Sequence, residues 1–234
     1  GTEKCPFEGG CPKLSAYNNM QIIYSFISRS LCIPRRLRKI FYKYYNRFLF
    51  YVNGVKFGKN MQVFNRFYLS KHLKARITIG DNFIFTSGEA FNPLCRNIRG
   101  CIYAPEGCTI QIGDNVGVSS ACIWAKERIV IGHRVKIGAD SILMDTDAHN
   151  LDYRIRNSEK KDSRGRSIDG CTASSAPIVI EDDVLIGTRC IILKGVTIGA
   201  RSVIGSGSIV TKSIPSDCIA AGNPCKVIRS VSER

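Results

Sequence analysis

The C-terminal part of the chain carries a branched aliphatic residue at every sixth position. The series consists of Ile180, Ile186, Ile192, Ile198, Ile204 and Val210. Four positions after each of the first five lies a second small or apolar residue: Val184, Cys190, Val196, Ser202 and Ser208. A period of six differs from the roughly 3.6 of a helix and the roughly 2 of a strand, and is typical of short strands stacked as coils. The pattern predicts an all-β solenoid.

The same spacing occurs less regularly earlier in the chain. Val118 and Trp124 continue the six-residue step from Ile112, but the step from Trp124 to Ile131 is seven residues, which predicts one longer corner. Gly follows the aliphatic residue directly in several repeats, and we expect it to supply a backbone conformation that is closed to residues with a Cβ. Because each coil buries its inward residues only against neighbouring coils, the repeats are expected to fold together.

A helical period marks the residues before the solenoid. Apolar residues share one predicted helical face at Leu37, Ile40, Phe41, Tyr44, Tyr45, Phe48 and Leu49. Cations step along another face at Arg36, Lys39, Lys43 and Arg47, and Pro34 suits the first turn. A second helix is expected at about residues 14–31. We therefore divide the chain into a basic N-terminal helical segment, 1–51, and a solenoid domain, 52–230.

The charge is concentrated in the N-terminal third. Residues 1–76 contain 15 Lys and Arg against Glu3 and Glu8, a net +13 of the whole chain's +15. A basic amphipathic helix is typical of an element that contacts an anionic membrane surface, and the alternative is that it packs against a solenoid. Its aromatic residues lie on the apolar face rather than between the cations, so nucleic acid is not an expected partner.

Targeting signals and disulfides are not expected. No run approaches the roughly 20 apolar residues that span a bilayer, and no stretch resembles a secretory signal. The eleven cysteines include no C-x-x-C pair, which disfavours a disulfide framework or a zinc site. We expect a cytoplasmic protein whose thiols are reduced, with Cys190 and Cys122 in the core.

The repeat is interrupted by a loop insertion at about residues 150–176. This segment is polar and rich in Lys and Arg, and long insertions in compact folds are often functional. Immediately before it, Asp145, Asp147 and Asp152 surround His149. This cluster is the best candidate for chemistry in the chain.

Four motifs together resemble a known family. They are DTDAHNLD at 145–152, ILKGVTIG at 192–199, IGSGS at 204–208 and AGNPCKVI at 221–228. In order and spacing they resemble the hexapeptide-repeat O-acetyltransferases of the maltose and galactoside acetyltransferase type, especially those acting on surface polysaccharides. The resemblance covers about residues 52–230. It implies a left-handed parallel β-helix, a homotrimer, acetyl-CoA as donor and a site made by two subunits.

The resemblance also implies a role for His149. The family histidine deprotonates a sugar hydroxyl, which then attacks the thioester carbonyl. The chemistry agrees, because a sugar hydroxyl is hardly ionised at neutral pH and needs a base with a pKa near about 6.5. Asp147 or Asp145 is expected to orient the imidazole, and the sequence does not decide between them.

Acceptor and donor contacts are assigned on the same basis. Ser119 or Ser120 replaces a family Asn one coil before the histidine, and with Asp152 and Arg154 they are our candidates for binding the acceptor. We expect small residues of the regular coils to line the pantetheine arm of the donor: Gly187, Gly205 and Ser206. Cations at the end of the repeat are candidates for its phosphates: Lys212, Lys226 and Arg229.

Two other functions share parts of this pattern. Trimeric carbonic anhydrases share the solenoid but need three clustered histidines, whereas His72, His133 and His149 are separated by 61 and 16 residues, so no metal is expected. A non-catalytic scaffold is disfavoured by the retention of His149 and its acidic neighbours. The identity of the acceptor sugar stays open.

Overall fold

The computed structural model describes residues 33–88, 92–95 and 98–233, so the second predicted helix, at about residues 14–31, lies outside the described residues. Contacts divide the chain into two compact units, residues 1–40 and 41–234. The solenoid lies in the second unit.

Short strands form three sheets, and successive strands of the chain enter the three sheets in turn. The first sheet contains β1 (Lys56–Phe57), β4 (Arg76–Ile79), β7 (Thr109–Ile112), β10 (Arg128–Ile131), β13 (Ile178–Ile180) and β16 (Thr197–Ile198). The second contains β2 (Gln62–Phe64), β5 (Ile84–Thr86), β8 (Gly117–Ser119), β11 (Lys136–Ile137), β14 (Leu185–Ile186), β17 (Val203–Ile204), β19 (Cys218–Gly222) and β20 (Cys225–Ser230). The third contains β3 (Phe67–Lys71), β6 (Gly100–Ala104), β9 (Cys122–Trp124), β12 (Ile142–Met144), β15 (Ile191–Leu193) and β18 (Ile209–Val210).

The pairing is that of a parallel β-helix. Neighbouring strands are parallel throughout, except that β20 returns antiparallel to β19 at the C-terminal end. Equivalent residues of successive coils stack, as in the pairs Ile131 with Ile180 and Leu143 with Ile192. All six aliphatic residues of the 180–210 series are buried, each at most 1% exposed. The six-residue period is therefore confirmed as the inward register of the core.

The glycines after the aliphatic residues have a different role from the one we expected. None of Gly187, Gly199 and Gly205 has a positive φ. A Cβ on Gly138 would instead lie 2.5 Å from the carbonyl carbon of Gly187 in the next coil. The close approach of one coil's corner to the next, rather than the backbone dihedral, excludes larger residues there.

The solenoid departs from the predicted six-residue register in two places. Ile123 is fully buried, whereas Trp124, which we placed on the inward register, points outward and is part-exposed; Cys122 also points outward. The coil shortens by one residue between Val118 and Ile123. A further break between β5 and β6 contains a 3₁₀ turn at Pro93–Cys95, η1.

The predicted N-terminal helix is present as α1, Ile33–Val52. In the second unit, two of its residues attach it to the first coil. The buried Asn46 side chain donates to the carbonyl oxygens of Val63 and Asn65, at 2.8 and 2.9 Å, and the Phe50 ring lies 5.4 Å from that of Phe67. Within the described residues, no helix combines the length and apolarity needed to cross a bilayer.

Candidate active site

His149 is paired with a carboxylate from the loop insertion. Its Nδ1 atom lies 2.6 Å from Oδ2 of Asp169. Asp169 is mostly buried, with 12% of its side chain exposed, whereas 68% of the His149 side chain is accessible. The other carboxylate oxygen, Oδ1, accepts from the backbone N–H of Asn150 at 2.7 Å.

This pairing fixes the chemistry of the imidazole. An ionised carboxylate is an acceptor only, so Nδ1 carries the proton and donates it to Asp169. In the neutral ring Nε2 is then the acceptor, which is the state required of a general base. The hydrogen bonds from His149 and from the Asn150 N–H hold the pKa of Asp169 below its ordinary value, so the carboxylate stays charged beside the ring.

The chain leaves the third sheet at Met144, and the two ends of the insertion are tied together where it does. Thr146 forms an antiparallel bridge with Ser175, and the Asp147 N–H donates to Ser174 O at 2.9 Å. Ala148 adopts a left-handed conformation, with φ of 62°, which turns the chain into His149. Within the insertion, α2 (Tyr153–Arg156) and α3 (Ile168–Thr172) follow, and α3 carries Asp169.

Asp147 does not contact the His149 ring, contrary to one of our two expectations. Its carboxylate forms an ion pair with Lys194, whose Nζ lies 2.7 and 2.8 Å from the two oxygens. Lys194 directly follows β15, so the pair ties the start of the insertion to the next coil. Asp147 positions the segment that carries His149 rather than the imidazole itself.

Asp145 was the other expected partner, and this expectation is also wrong. The residue is fully buried, and its carboxylate accepts from three consecutive backbone N–H groups, those of Lys126, Glu127 and Arg128, at 2.5, 2.8 and 2.7 Å. Burial raises the pKa of Asp145, while the three amide donors act in the opposite direction. Asp145 therefore stabilises the turn between β9 and β10.

The two insertion residues assigned to the acceptor have local roles. Asp152 is the N-cap of α2 and accepts from the Arg154 N–H at 2.9 Å. The Arg154 guanidinium bonds the same carboxylate at 3.3 Å and lies over the Tyr153 ring. Both side chains are engaged in the cap, and their assignment to the acceptor stays a prediction.

Ser119 and Ser120 separate into two environments. Ser120 is buried, and its hydroxyl accepts from the Gly88 N–H at 2.7 Å, so it supports the chain rather than facing a ligand. Ser119 points outward and bonds the Thr86 and Asn92 side chains, each at 3.3 Å. It lines a groove over the second sheet and belongs with the predicted donor residues.

That groove has a volume of about 420 Å³, and its lining includes Gly187 and Ser206, two of our candidates for the donor site. An adjoining cavity of about 440 Å³ shares Thr188 and Ser206 and includes Arg189. Our other donor candidates line neither cavity: Gly205, Lys212, Lys226 and Arg229. Gly205 faces Ala221 instead, and the three cations lie closer to the C-terminus in the sequence. Among the described residues, the cations that line the two cavities are Lys136 and Arg189.

A third cavity, of about 340 Å³, adjoins the histidine segment. Its wall includes Tyr103, Trp124, Lys126, Ala148, Arg166 and Gly170. Ala148 and Gly170 are the sequence neighbours of the paired residues. The Tyr103 and Trp124 rings are edge-to-face, with centroids 5.5 Å apart, and present an aromatic wall. Among the described residues, no group of three or more His, Cys, Asp or Glu is arranged to hold a metal ion.

Sequence reasoning missed Asp169 and Lys194. Asp169 lies 20 residues after His149 in a segment without periodicity, and nothing in the pattern brings the two together. The available signal was weak: Asp169 is one of three acidic residues between 153 and 176, with Glu159 and Asp162.

Comparison with known proteins agrees with this architecture. The sequence model of the hexapeptide repeat of succinyl-transferase matches residues 177–212. Over 134 residues, 57% of this chain and 60% of the relative, the chain is 36% identical to galactoside O-acetyltransferase of Escherichia coli K12. Over 60 residues it is 48% identical to a tetrahydropyridine-dicarboxylate N-acetyltransferase of Staphylococcus aureus, covering 26% of this chain and 25% of that one.

A solved structure shows the same fold. An N-acyltransferase of Bacillus cereus, solved with dTDP and 3-hydroxybutyryl-CoA, has a TM-score of 0.57 at 16% identity, covering 79% of this chain and 87% of that one. The predicted fold class, a left-handed parallel β-helix, is thereby confirmed. Residues 177–212 of the chain thus match a hexapeptide-repeat model, and the chain spans about 60% of the length of the galactoside enzyme to which it is similar.

Proposed function

We propose that the protein is an acetyl-CoA-dependent O-acetyltransferase acting on a sugar hydroxyl. Nε2 of His149 removes the hydroxyl proton while the oxygen attacks the thioester carbonyl. The tetrahedral intermediate then collapses, the C–S bond breaks, and the imidazolium returns the proton to the CoA thiolate. Asp169 holds the ring and stabilises its charged form through both steps.

The observation that carries this proposal is the His149–Asp169 pair. An oriented imidazole with one ring nitrogen free is the arrangement required for proton abstraction from a weak acid. Its accessible ring distinguishes it from a histidine buried for packing. The 36% sequence identity to galactoside O-acetyltransferase supports acetyl transfer as the reaction type.

The third cavity is the proposed acceptor site. Aromatic faces such as Trp124 pack against the C–H faces of sugar rings, and the polar side chains of Glu106, Lys126 and Arg166 offer both donors and acceptors to hydroxyls. The groove over the second sheet is the proposed donor site. Its flat wall at Gly187 exposes backbone groups to an extended arm.

The proposed assembly is a homotrimer, because the outer surface of the third sheet is apolar from β9 onward. Its part-exposed outward residues from β9 onward are Cys122, Trp124, Ile142, Met144, Ile191, Leu193 and Ile209. The first sheet instead presents exposed residues such as Arg76, Gln111 and Arg128. Apolar outer faces favour association, and three-fold closure would bring a second chain beside the strand end from which His149 departs.

N-acetyl transfer is the second candidate. The Staphylococcus aureus relative is an N-acetyltransferase, although the similarity is limited to about a quarter of each chain. An amine acceptor would need the same base to remove a proton, so the site geometry alone favours neither. The two reactions give products of different stability, which the following assay exploits.

The test is thiol release from acetyl-CoA with a panel of sugars and amino sugars, followed by product mass. The proposal predicts thiol release with at least one hydroxyl acceptor and a product whose acetyl group is removed by mild alkali, as an ester is. Alkali-stable acetylation would assign the amide reaction. Binding of acetyl-CoA without transfer to any acceptor would contradict the proposal and favour a scaffold.

The shared site has its own test. Chains with His149→Ala are mixed with chains in which Ser206→Trp fills the donor groove. Under the proposal, a trimer made of either variant alone is inactive. Mixed trimers regain part of the activity if base and donor groove come from different chains. The shared site would be excluded if light scattering under assay conditions gave the mass of a monomer, or if mixing the two variants restored no activity.

A further inference from the structure

We propose that the outward face of α1 binds an anionic lipid surface and holds the protein peripherally on a membrane. The face is an aromatic stripe consisting of Phe41, Tyr44, Tyr45, Phe48 and Tyr51. These five side chains are between 49% and 73% exposed in the described unit. This property is independent of the transfer reaction proposed above.

The attachment of α1 directs the stripe away from the β-helix. At 3.6 residues per turn, Asn46 and Phe50 lie on one side of the helix, and Phe41, Tyr44 and Phe48 on the opposite side. Asn46 is fully buried through its two hydrogen bonds to the first coil. The helix therefore buries a polar side chain and exposes its aromatic residues to solvent. An ordinary surface helix does the opposite, because it packs its apolar face on the domain.

The stripe is ordered within itself. The Phe41 and Tyr45 rings are stacked with centroids 5.6 Å apart, and Tyr42 is edge-to-face with both. Tyr and Phe side chains on an exposed helical face suit the boundary between headgroups and acyl chains, because each ring is apolar while the Tyr hydroxyl stays hydrated.

The charge of the surroundings specifies the lipid. No Asp or Glu occurs between Glu8 and Asp81, while residues 33–80 contain twelve Lys and Arg. Lys43 and Arg47 flank the stripe on one side. An anionic surface complements this field, whereas the α1 face of a second copy is equally basic and would repel it. Each cation near such a surface strengthens binding by about fivefold, from roughly 1 kcal/mol per residue.

The test is co-sedimentation of the full-length protein with vesicles of equal parts phosphatidylglycerol and phosphatidylcholine, compared with phosphatidylcholine alone. We expect binding to the anionic vesicles that weakens as salt rises. Phe48→Ser combined with Tyr51→Ser, and separately Lys43→Glu, should each reduce binding by roughly tenfold or more. The matched controls are Leu73→Ser, which removes an apolar side chain that is 93% exposed elsewhere, and Lys160→Glu, and neither should change it.

Oligomeric mass is measured on the same variants, with thermal unfolding as a check of folding. Unchanged mass together with lost vesicle binding supports the lipid surface. Equal sedimentation of parent and variants, or no binding of the parent at low salt, overturns it. A fall in mass of the Phe48→Ser, Tyr51→Ser variant also overturns it, because the face would then be covered by another copy of the chain.

Discussion

Nδ1 of His149 and Oδ2 of Asp169 are 2.6 Å apart, although 20 residues separate them in the chain. The insertion between them is therefore part of the proposed active site, because it returns a carboxylate to the residue at its own start. Asp169 is held in turn by the Asn150 N–H. The orientation of the proposed base depends on how the insertion is anchored to the coils.

Replacing the carboxylate partner should impair turnover more than binding. In Asp169→Asn the amide can donate to Nδ1, which favours the tautomer with the proton on Nε2 and removes the free acceptor. We expect kcat to fall by at least about tenfold, with acetyl-CoA affinity unchanged. Asp162→Asn, in the same insertion, is the comparison that separates this effect from general loosening, and an equal loss of kcat in both would refute a specific role for Asp169.

The pH dependence of stability follows from the lowered pKa of Asp169. A carboxyl whose pKa is lower in the folded than in the unfolded chain stabilises the fold above its unfolded value, about 3.9, and this is lost as pH falls through the folded value. The urea midpoint of the parent should exceed that of Asp169→Asn at neutral pH, and the difference should shrink below about pH 4. A difference that is constant or larger in acid would contradict the assigned hydrogen bonds.

Asp145 should be a residue of stability rather than catalysis. Asp145→Ala removes a fully buried carboxylate that accepts from three backbone N–H groups, so we expect the free energy of unfolding to fall by at least about 2 kcal/mol. Asp114 is the matched control, because its carboxylate also accepts a backbone N–H, that of Asp81 at 2.6 Å, but 45% of its side chain is exposed. Asp114→Ala should cost less than about 1 kcal/mol, as water replaces the acceptor. Equal losses would show that burial is not the cause.

Glu106 should anchor the insertion to the β-helix. Its carboxylate, in the turn between β6 and β7, pairs with Lys74 at 2.9 Å and with Arg164 and Arg166 of the insertion. These hydrogen bonds from Lys74 and Arg164 lower the pKa of Glu106 to about 2, so the link persists throughout the mildly acidic range.

Glu106→Gln is therefore expected to expose the insertion to trypsin. Cleavage at the basic residues near Arg164 should become several-fold faster while the coils stay protected. Glu159→Gln, an exposed acidic residue of the same insertion, serves as control and should leave cleavage unchanged. Protection equal to the parent in Glu106→Gln would show that other contacts anchor the segment.

The regular coils were predictable because their physics is local. Inward positions such as Ile186 and Ile192 must be apolar at a fixed step, and only a stacked solenoid satisfies that step. The error at Trp124 arose where one coil shortens by a residue, since a one-residue change reverses the direction of a strand side chain. Sequence spacing contains no independent record of such a change.

The site was predictable only in part. His149 is proposed as the base from its motif, but its partner was sought among the nearest carboxylates, Asp145 and Asp147. Those two are occupied by backbone amides and by Lys194, which are brought close by the preceding and following coils. The contacts depend on stacking between coils and on the course of a segment without periodicity, neither of which a linear pattern specifies.

The most direct measurement is the turnover of His149→Ala alongside its affinity for acetyl-CoA. If His149 is the base, transfer to the best acceptor should fall by roughly 10² to 10⁴-fold, while donor affinity stays within about twofold of the parent. The control is His133→Ala, which removes an exposed histidine in the turn between β10 and β11 and should keep parental turnover. Turnover of His149→Ala within a few-fold of the parent would contradict the proposed mechanism.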